Sequence, residues 1–208
     1  MKVAVVGANG RLGRKLVQEA TCRHIEVLSI VKEGQGGPDV LSKSLFDLSI
    51  EDLRGIDCLL SAFGSGFDAD PVINKLALEK LGDLARDLCV PLVAIGGAGL
   101  LYPDSSHVRH VFEGKDHPSF LKGISKNLLL GLESLRKMEG VTFTLVCPSL
   151  YFDYEGAKTG RYRIGTKQEV LYSSKGDSRV SYADLAMAMV DIAEKGGYPN
   201  QCITVCEE

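Results

Sequence analysis

The stretch VAVVGANGRLGRKLV, Val3 to Val17, decides how this chain is read. Four apolar residues lead into three glycines at intervals of three, and Leu12, Leu16, Val17 and Ala20 then recur with helical spacing. An uninterrupted apolar run suits a strand covered on both faces, as in a parallel sheet. The unit is strand, glycine turn, helix. Such a turn presents unpaired helix amides and the positive end of the helix dipole to whatever lies above it. Gly7 permits the sharp turn, Gly10 lets a pyrophosphate approach the backbone, and Gly13 lets the helix pack closely on its strand. Glycines also end strands with no ligand in view. Here the motif follows the first strand and opens an amphipathic helix, which points to dinucleotide binding.

Working outward, strands and helices alternate. Ile25 to Val31 reads as a second strand, Ser44 to Phe46 as a short third and Cys58 to Ala62 as a fourth, with Ser49-Ile-Glu-Asp52 as a capping box between the last two. Val72, Leu76, Leu81, Leu84 and Leu88 trace one side of a long helix that leads to a strand from Leu92 to Ile95. A second long helix turns Leu128, Leu132 and Leu135 inward before a strand from Phe143 to Val146, and Ser181-Tyr-Ala-Asp184 caps a last helix before Ile203 to Val205. Repeated βαβ units predict an α/β fold, a Rossmann-like doubly wound parallel sheet. Two segments, residues 96–120 and 149–175, exceed what connections need. They are the candidate substrate loops, because ligands gather at the carboxyl ends of such strands.

The chain of 208 residues predicts one domain, residues 1–208. A net charge of −3 leaves no broad basic surface, which argues against nucleic acid as the partner. No stretch is apolar for long enough to span a bilayer and the first residues enter a strand directly, so no membrane association and a cytoplasmic location are expected. The cysteines, Cys22, Cys58, Cys89, Cys147, Cys202 and Cys206, form no CxxC pair and mostly sit in apolar runs, which favours reduced, buried thiols. Cys202 and Cys206 fall on one face of the terminal strand, where a metal or redox pair is the lesser alternative.

The end of the second strand selects the dinucleotide, since an acid there bonds a ribose hydroxyl and a basic group accepts a 2′-phosphate. Lys32 occupies that end and Arg11 adds charge near the same corner, so NADP(H) is preferred; Glu33 keeps NAD(H) open.

Five segments carry a resemblance: VVGANGRLGRKLV, LFDLSIEDLRGIDCLLSAFG, LVAIGGAGLLY, TFTLVCPSLYFDYEGAKTGRYRIG and GDSRVSYADLAMAMVDIAE. Together they cover almost the whole chain, which resembles the atypical short-chain dehydrogenase/reductases of the NmrA-like, NAD(P)-binding kind, in particular the small NADH-flavin reductase subgroup. That resemblance implies Gly7, Asn9, Gly10, Arg11 and Leu12 around the pyrophosphate and Lys32 near the 2′-phosphate. It further implies Asp47 and Leu48 beside the adenine, and Ala62, Phe63, Gly64, Gly97 and Ala98 along the cofactor. Pro148, Ser149 and Leu150 would border the nicotinamide.

The chain departs from ordinary short-chain dehydrogenases, which the resemblance would give a helical Tyr-x-x-x-Lys. In LKGISKNLLLG, Lys126 is preceded at that offset by Lys122, and Tyr102 is followed four residues on by Ser106. Tyr154 and Lys158 keep the spacing, but in a glycine-containing loop, which reads as coincidence. Hydride transfer to a flavin tolerates that loss, since the carrier supplies the reactive carbon and solvent can supply the proton. Tyr102, Tyr151 and Phe152 are the candidate walls of an acceptor pocket, with Arg161 or Arg163 offering charge to an anionic acceptor. His107, His110 and His117 could be drawn as a metal site, but nothing fixes the geometry and no metal is expected; one of them is a candidate proton source. The expected activity is an NADPH-dependent reduction of a flavin or similar flat small-molecule acceptor. The alternative is a regulator that senses NADP(H) without turnover, and a homodimer is left open.

Overall fold

The structure, a computed structural model, describes residues 1–34 and 37–208. The elements run β1 (Lys2–Val6), α1 (Arg11–Cys22), β2 (Glu26–Val31), β3 (Val40–Ser42), β4 (Cys58–Ser61), α2 (Val72–Leu88), β5 (Leu92–Ile95), α3 (Ser119–Lys137), β6 (Phe143–Pro148), β7 (Tyr151–Asp153), β8 (Tyr162–Gly165), β9 (Arg179–Ser181), α4 (Tyr182–Lys195) and β10 (Gln201–Glu207). Eight strands form one sheet in the order β3-β2-β1-β4-β5-β6-β10-β8, parallel except for β8, which runs antiparallel to β10. β7 and β9 pair in a small parallel sheet of their own.

The apolar run of β1 is explained by the two faces. Ala4 and Val6 join the core beneath α2 and α3, while Val3 and Val5 join the core beneath α1 and α4. Every strand in the middle of the sheet is divided the same way: Leu59 and Leu145 look to one side, Leu60 and Val146 to the other. The sheet is doubly wound, as its sequence pattern predicts.

Three local readings are corrected. The third strand is Val40–Ser42, and Ser44 instead caps a 3₁₀ turn over Leu45–Asp47, its hydroxyl accepting from the Phe46 amide at 3.4 Å. On α2, Val72 and Leu76 are exposed, and the buried face is Ala77, Leu78, Leu81, Leu84 and Ala85 with the polar Asn74 among them. In the predicted box before β4, Asp52 does reach back to the Ser49 amide at 2.8 Å, but it also takes the Ser49 hydroxyl at 2.8 Å, so that hydroxyl does not cap the turn. At α4 the serine cap forms as read: the Ser181 hydroxyl accepts from the Asp184 amide at 3.0 Å.

Four thiols are buried as expected, whereas Cys22 and Cys89 are exposed; all six are free. Cys202 faces Cys147 on the neighbouring strand, with their sulfurs 3.5 Å apart, and not Cys206. The bond to Cys202 and then burial push the Cys147 thiol up, and burial pushes that of Cys58 up to about 12. Among the described residues no helix is long and apolar enough to cross a membrane.

Candidate functional site

From β1 the chain continues outward to β2 and β3 on one side, and from β4 outward on the other, so a crevice opens above the carboxyl ends of β1 and β4. Gly7 enters it with φ +78°, and the amides of Gly7 and Ala8 both donate to the Ile30 carbonyl, at 3.0 and 3.1 Å. This pins the turn to β2. A Cβ on Gly13 would lie 2.0 Å from the Gly7 carbonyl oxygen and one on Gly10 would lie 3.1 Å from the same atom, so helix and turn touch where no side chain fits at Gly13.

Helix α1 begins with Gly10 as its cap, without a side-chain cap bond and without an acid in its first turn. Among the described residues, the amides of Asn9, Arg11, Leu12 and Gly13 have no acceptor, while the Arg14 amide already bonds the Gly10 carbonyl at 3.0 Å. Unpaired donors at the positive end of a helix, with backbone bared by glycine, suit an anionic group such as phosphate.

The other residues implied for the cofactor stand at or beyond the carboxyl ends of β2, β3, β4, β5 and β6, along one rim of the sheet. Lys32 and Asp47 are exposed, Gly64 is exposed, and Ala62, Phe63, Gly97 and Ala98 are half-buried. Leu48 is buried in the core, which leaves only its backbone for a ligand. Ser149 is also buried, its hydroxyl donating to the Val205 carbonyl at 2.7 Å, and Pro148 beside it is buried, whereas Leu150 is exposed. Arg11 carries its guanidinium 4.9 Å above the ring of Tyr154, so its charge rests against the second long segment.

The two long segments are stitched into one layer. The Tyr102 amide donates to the Gln168 carbonyl at 2.8 Å, the Val170 amide to the Tyr102 carbonyl at 2.9 Å, and the Gln168 side-chain amide to the Leu100 carbonyl at 2.8 Å. Beneath this seam lies a cleft of about 400 Å³. Pro103, Arg109, His110, Val111, His117 and Pro118 line it from the first segment, with Gly114 and Asp116, and Leu150, Val170 and Tyr172 from the second. Its volume is within the range of small-molecule sites, and it combines apolar walls with a few polar groups. Leu150 joins this cleft to the rim described above.

The three aromatic residues expected to wall the acceptor pocket do not line the cleft. Tyr102 is sandwiched between the rings of His107 and His110, with centroids 4.3 Å away on each side. Tyr151 is exposed beneath the Arg179 guanidinium, and Phe152 stacks at 3.7 Å on Tyr182 and packs on the core. Arg161 and Arg163 are not on the cleft either, Arg163 donating to the Tyr172 carbonyl at 3.3 Å; the cation there is Arg109. Neither Arg109 nor Tyr172 is singled out by sequence spacing, because each stands alone in an irregular segment.

The spaced pair Tyr154 and Lys158 is separated by its partners. Lys158 reaches Glu19 of α1 at 2.6 Å, while Tyr154 meets Tyr182 edge-on and carries Arg11. The loop histidines diverge as well. His107 bonds Glu169 at 2.8 Å, His110 the Leu100 carbonyl at 2.8 Å, and His117 the Ser125 hydroxyl at 3.3 Å. Burial, then the nearby Lys122, hold the His117 imidazole below its usual range. Among the described residues no three His, Cys, Asp or Glu side chains converge as a metal site.

Two buried polar side chains that position the loops escaped sequence reasoning. Asn74 donates to the Ser65 hydroxyl at 2.8 Å and to the Pro71 carbonyl at 3.1 Å, which folds the segment after β4 against α2. Asp184, read only as part of a cap, takes the amides of Thr159 and Gly160.

No protein-family model matches the chain. Over its full length it is 33% identical to a solved structure of a "putative NADH-flavin reductase" from Streptococcus pneumoniae TIGR4, with a TM-score of 0.92 and all of both chains covered. A solved "putative exported protein" from Burkholderia pseudomallei is 26% identical, with a TM-score of 0.87 and 99% of each chain covered. The uncharacterized protein YwnB of Bacillus subtilis (strain 168) is 29% identical over 212 residues, covering 100% of this chain and 99% of that protein.

Proposed function

We propose a function from one premise: the chain belongs to the atypical short-chain dehydrogenase/reductases, the NmrA-like, NAD(P)-binding family. On that premise the protein is an NADPH-dependent reductase of a flavin or a similar flat, conjugated acceptor. When bound, the reduced nicotinamide supplies a hydride. In this reading the free amides of Asn9, Arg11, Leu12 and Gly13 hold the paired phosphates, and Lys32 meets the 2′-phosphate. Asp47 and the Leu48 backbone flank the adenine, Ala62, Phe63, Gly64, Gly97 and Ala98 follow the rim, and Pro148, Ser149 and Leu150 border the nicotinamide.

The observation that carries the reading is the cleft of about 400 Å³ that shares Leu150 with that rim. Its apolar walls, Val111, Leu150, Val170 and Pro118, offer contact to a flat ring system, and Arg109 offers charge to an anionic substituent. An NADP(H)-sensing regulator without turnover has no need of a second, apolar cleft beside the cofactor rim. Mixing the purified protein with NADPH and FMN or riboflavin and following nicotinamide absorbance tests the proposal. Saturable oxidation is expected; binding without consumption would establish the regulator instead.

A further inference from the structure

Resting on the reductase reading, we infer that His110 delivers the proton that accompanies the hydride. The three loop histidines are distinguished by where their ring nitrogens point. His107 lies outside the cleft and is spent on Glu169. His117 lines the cleft, but its Nε2 is turned to the buried Ser125 hydroxyl. His110 lines the cleft with Nε2 uncommitted, because the bond it makes is through Nδ1 to the carbonyl of Leu100, a fully buried residue, at 2.8 Å.

A carbonyl oxygen only accepts, so the contact with Leu100 is a hydrogen bond only with the hydrogen on His110 Nδ1; the Glu113 amide, which also faces the ring, donates instead to the His110 carbonyl at 3.0 Å. Nε2 is then the site that gains and loses a proton. The ring is also held in orientation: it stacks on Tyr102 at 4.3 Å and faces Phe112 at 5.8 Å and 15°. Glu113 on the same turn accepts the His110 backbone amide at 2.6 Å. The charged and titratable groups around the ring are Glu113, Tyr102, and, across the cleft, Arg109, Asp116, His117 and Tyr172, with the His107–Glu169 pair beyond Tyr102. An imidazole orientated by a second group, on a residue that lines the cleft and with no hydrogen bond to its far nitrogen among the described residues, suits general acid catalysis.

The step balances. With reduced coenzyme bound, a nicotinamide C–H bond would break as its hydride formed a bond to the acceptor, giving oxidised coenzyme and an acceptor two electrons richer with a basic ring nitrogen. The Nε2–H bond of the His110 imidazolium breaks, an N–H bond forms on that acceptor nitrogen, and the neutral imidazole takes its proton back from solvent.

The full-length H110N variant tests this, since the asparagine amide can keep the bond to Leu100 without titrating. Relative to wild type, kcat for NADPH with FMN is expected to fall about 100-fold at pH 7, with less change in KM for FMN. The decline of the wild-type kcat at alkaline pH should be absent from the variant. A second readout needs no turnover: in ¹⁵N spectra of the labelled wild type without NADPH, His110 should be the Nδ1–H tautomer and its Nε2 signal should move when FMN is added. An Nε2–H tautomer, or no response to FMN, overturns the assignment even where H110N fails to fold. NADPH oxidation matched by H110N at every pH overturns the assignment alone, whereas no oxidation by the wild type overturns the reductase reading and the assignment together.

Discussion

Both carboxylate oxygens of Asp184 accept the Thr159 amide at 3.0 Å, and Oδ2 accepts the Thr159 hydroxyl at 2.9 Å. Asp184 is fully buried and also takes the Gly160 amide at 2.9 Å and the Ser181 hydroxyl at 3.0 Å. One side chain at the head of α4 therefore holds down the part of the loop layer that brings Tyr154 to Arg11. Removing it leaves several donors without an acceptor. Asp184→Ala should cost about 3 kcal/mol in urea denaturation and open the chain near Thr159 to limited proteolysis. Asp184→Asn keeps one acceptor oxygen and should lose less. An unchanged urea midpoint for the alanine variant would contradict this account.

On the proposed reading, substitutions in the glycine turn should separate folding from binding. Gly13→Ala places a carbon where the Gly7 carbonyl stands, and should destabilise the protein by about 3 kcal/mol or prevent its recovery in soluble form. Gly10 has φ −70°, which alanine tolerates, and its added carbon meets only one backbone oxygen at 3.1 Å. Gly10→Ala should fold, yet bind NADPH about tenfold more weakly by calorimetry, a loss of about 1.4 kcal/mol.

Coenzyme choice should follow Lys32, exposed just beyond β2. Lys32→Glu exchanges attraction for repulsion at the 2′-phosphate and offers a carboxylate to a ribose hydroxyl. The ratio of kcat/KM for NADPH over NADH should drop by about tenfold or more. An unaltered ratio would remove Lys32 from the site.

Two carboxylates predict the acid limit of stability. Bonds from Lys43 and the Ser49 amide bring Asp52 down to about 2. Burial alone would raise Asp191, but bonds from Lys195, Tyr162 and Arg23 prevail and bring it to about 2. Both folded values lie below the ordinary carboxylate value of about 3.9, so their contributions are whole above that value and are lost as pH falls through about 2. The urea midpoint should decline between about pH 4 and pH 2, and Asp191→Asn should flatten that decline.

What the sequence disclosed and what it hid divide along one physical line. β1, the glycine turn and α1 are legible because apolar period and backbone space are written in consecutive residues, and the central sheet follows from the same pattern repeated. β8 is hard to read from sequence because its four residues hold only two apolar positions, Tyr162 and Ile164, inside a long glycine-containing segment, and the strand exists through its pairing with β10. The two long segments read from sequence do line a common cleft, but Tyr102, Tyr151 and Phe152, expected on its wall from residue type alone, are not among its lining residues. Their positions depend on partners distant in sequence: His107 and His110 for Tyr102, Arg179 for Tyr151 and Tyr182 for Phe152.

Strand β10 supports the loop layer at three points: Val205 takes the Ser149 hydroxyl, the Thr204 hydroxyl bonds the Glu169 carbonyl at 2.7 Å, and Glu207 takes the Ser181 amide at 3.0 Å. The glycine turn after β1 is therefore synthesised long before the strand that supports the loops around the cleft. A nascent chain halted ahead of Gln201 would hold every residue of the glycine turn and of the cleft lining, yet lack the strand to which the surrounding loops are fastened.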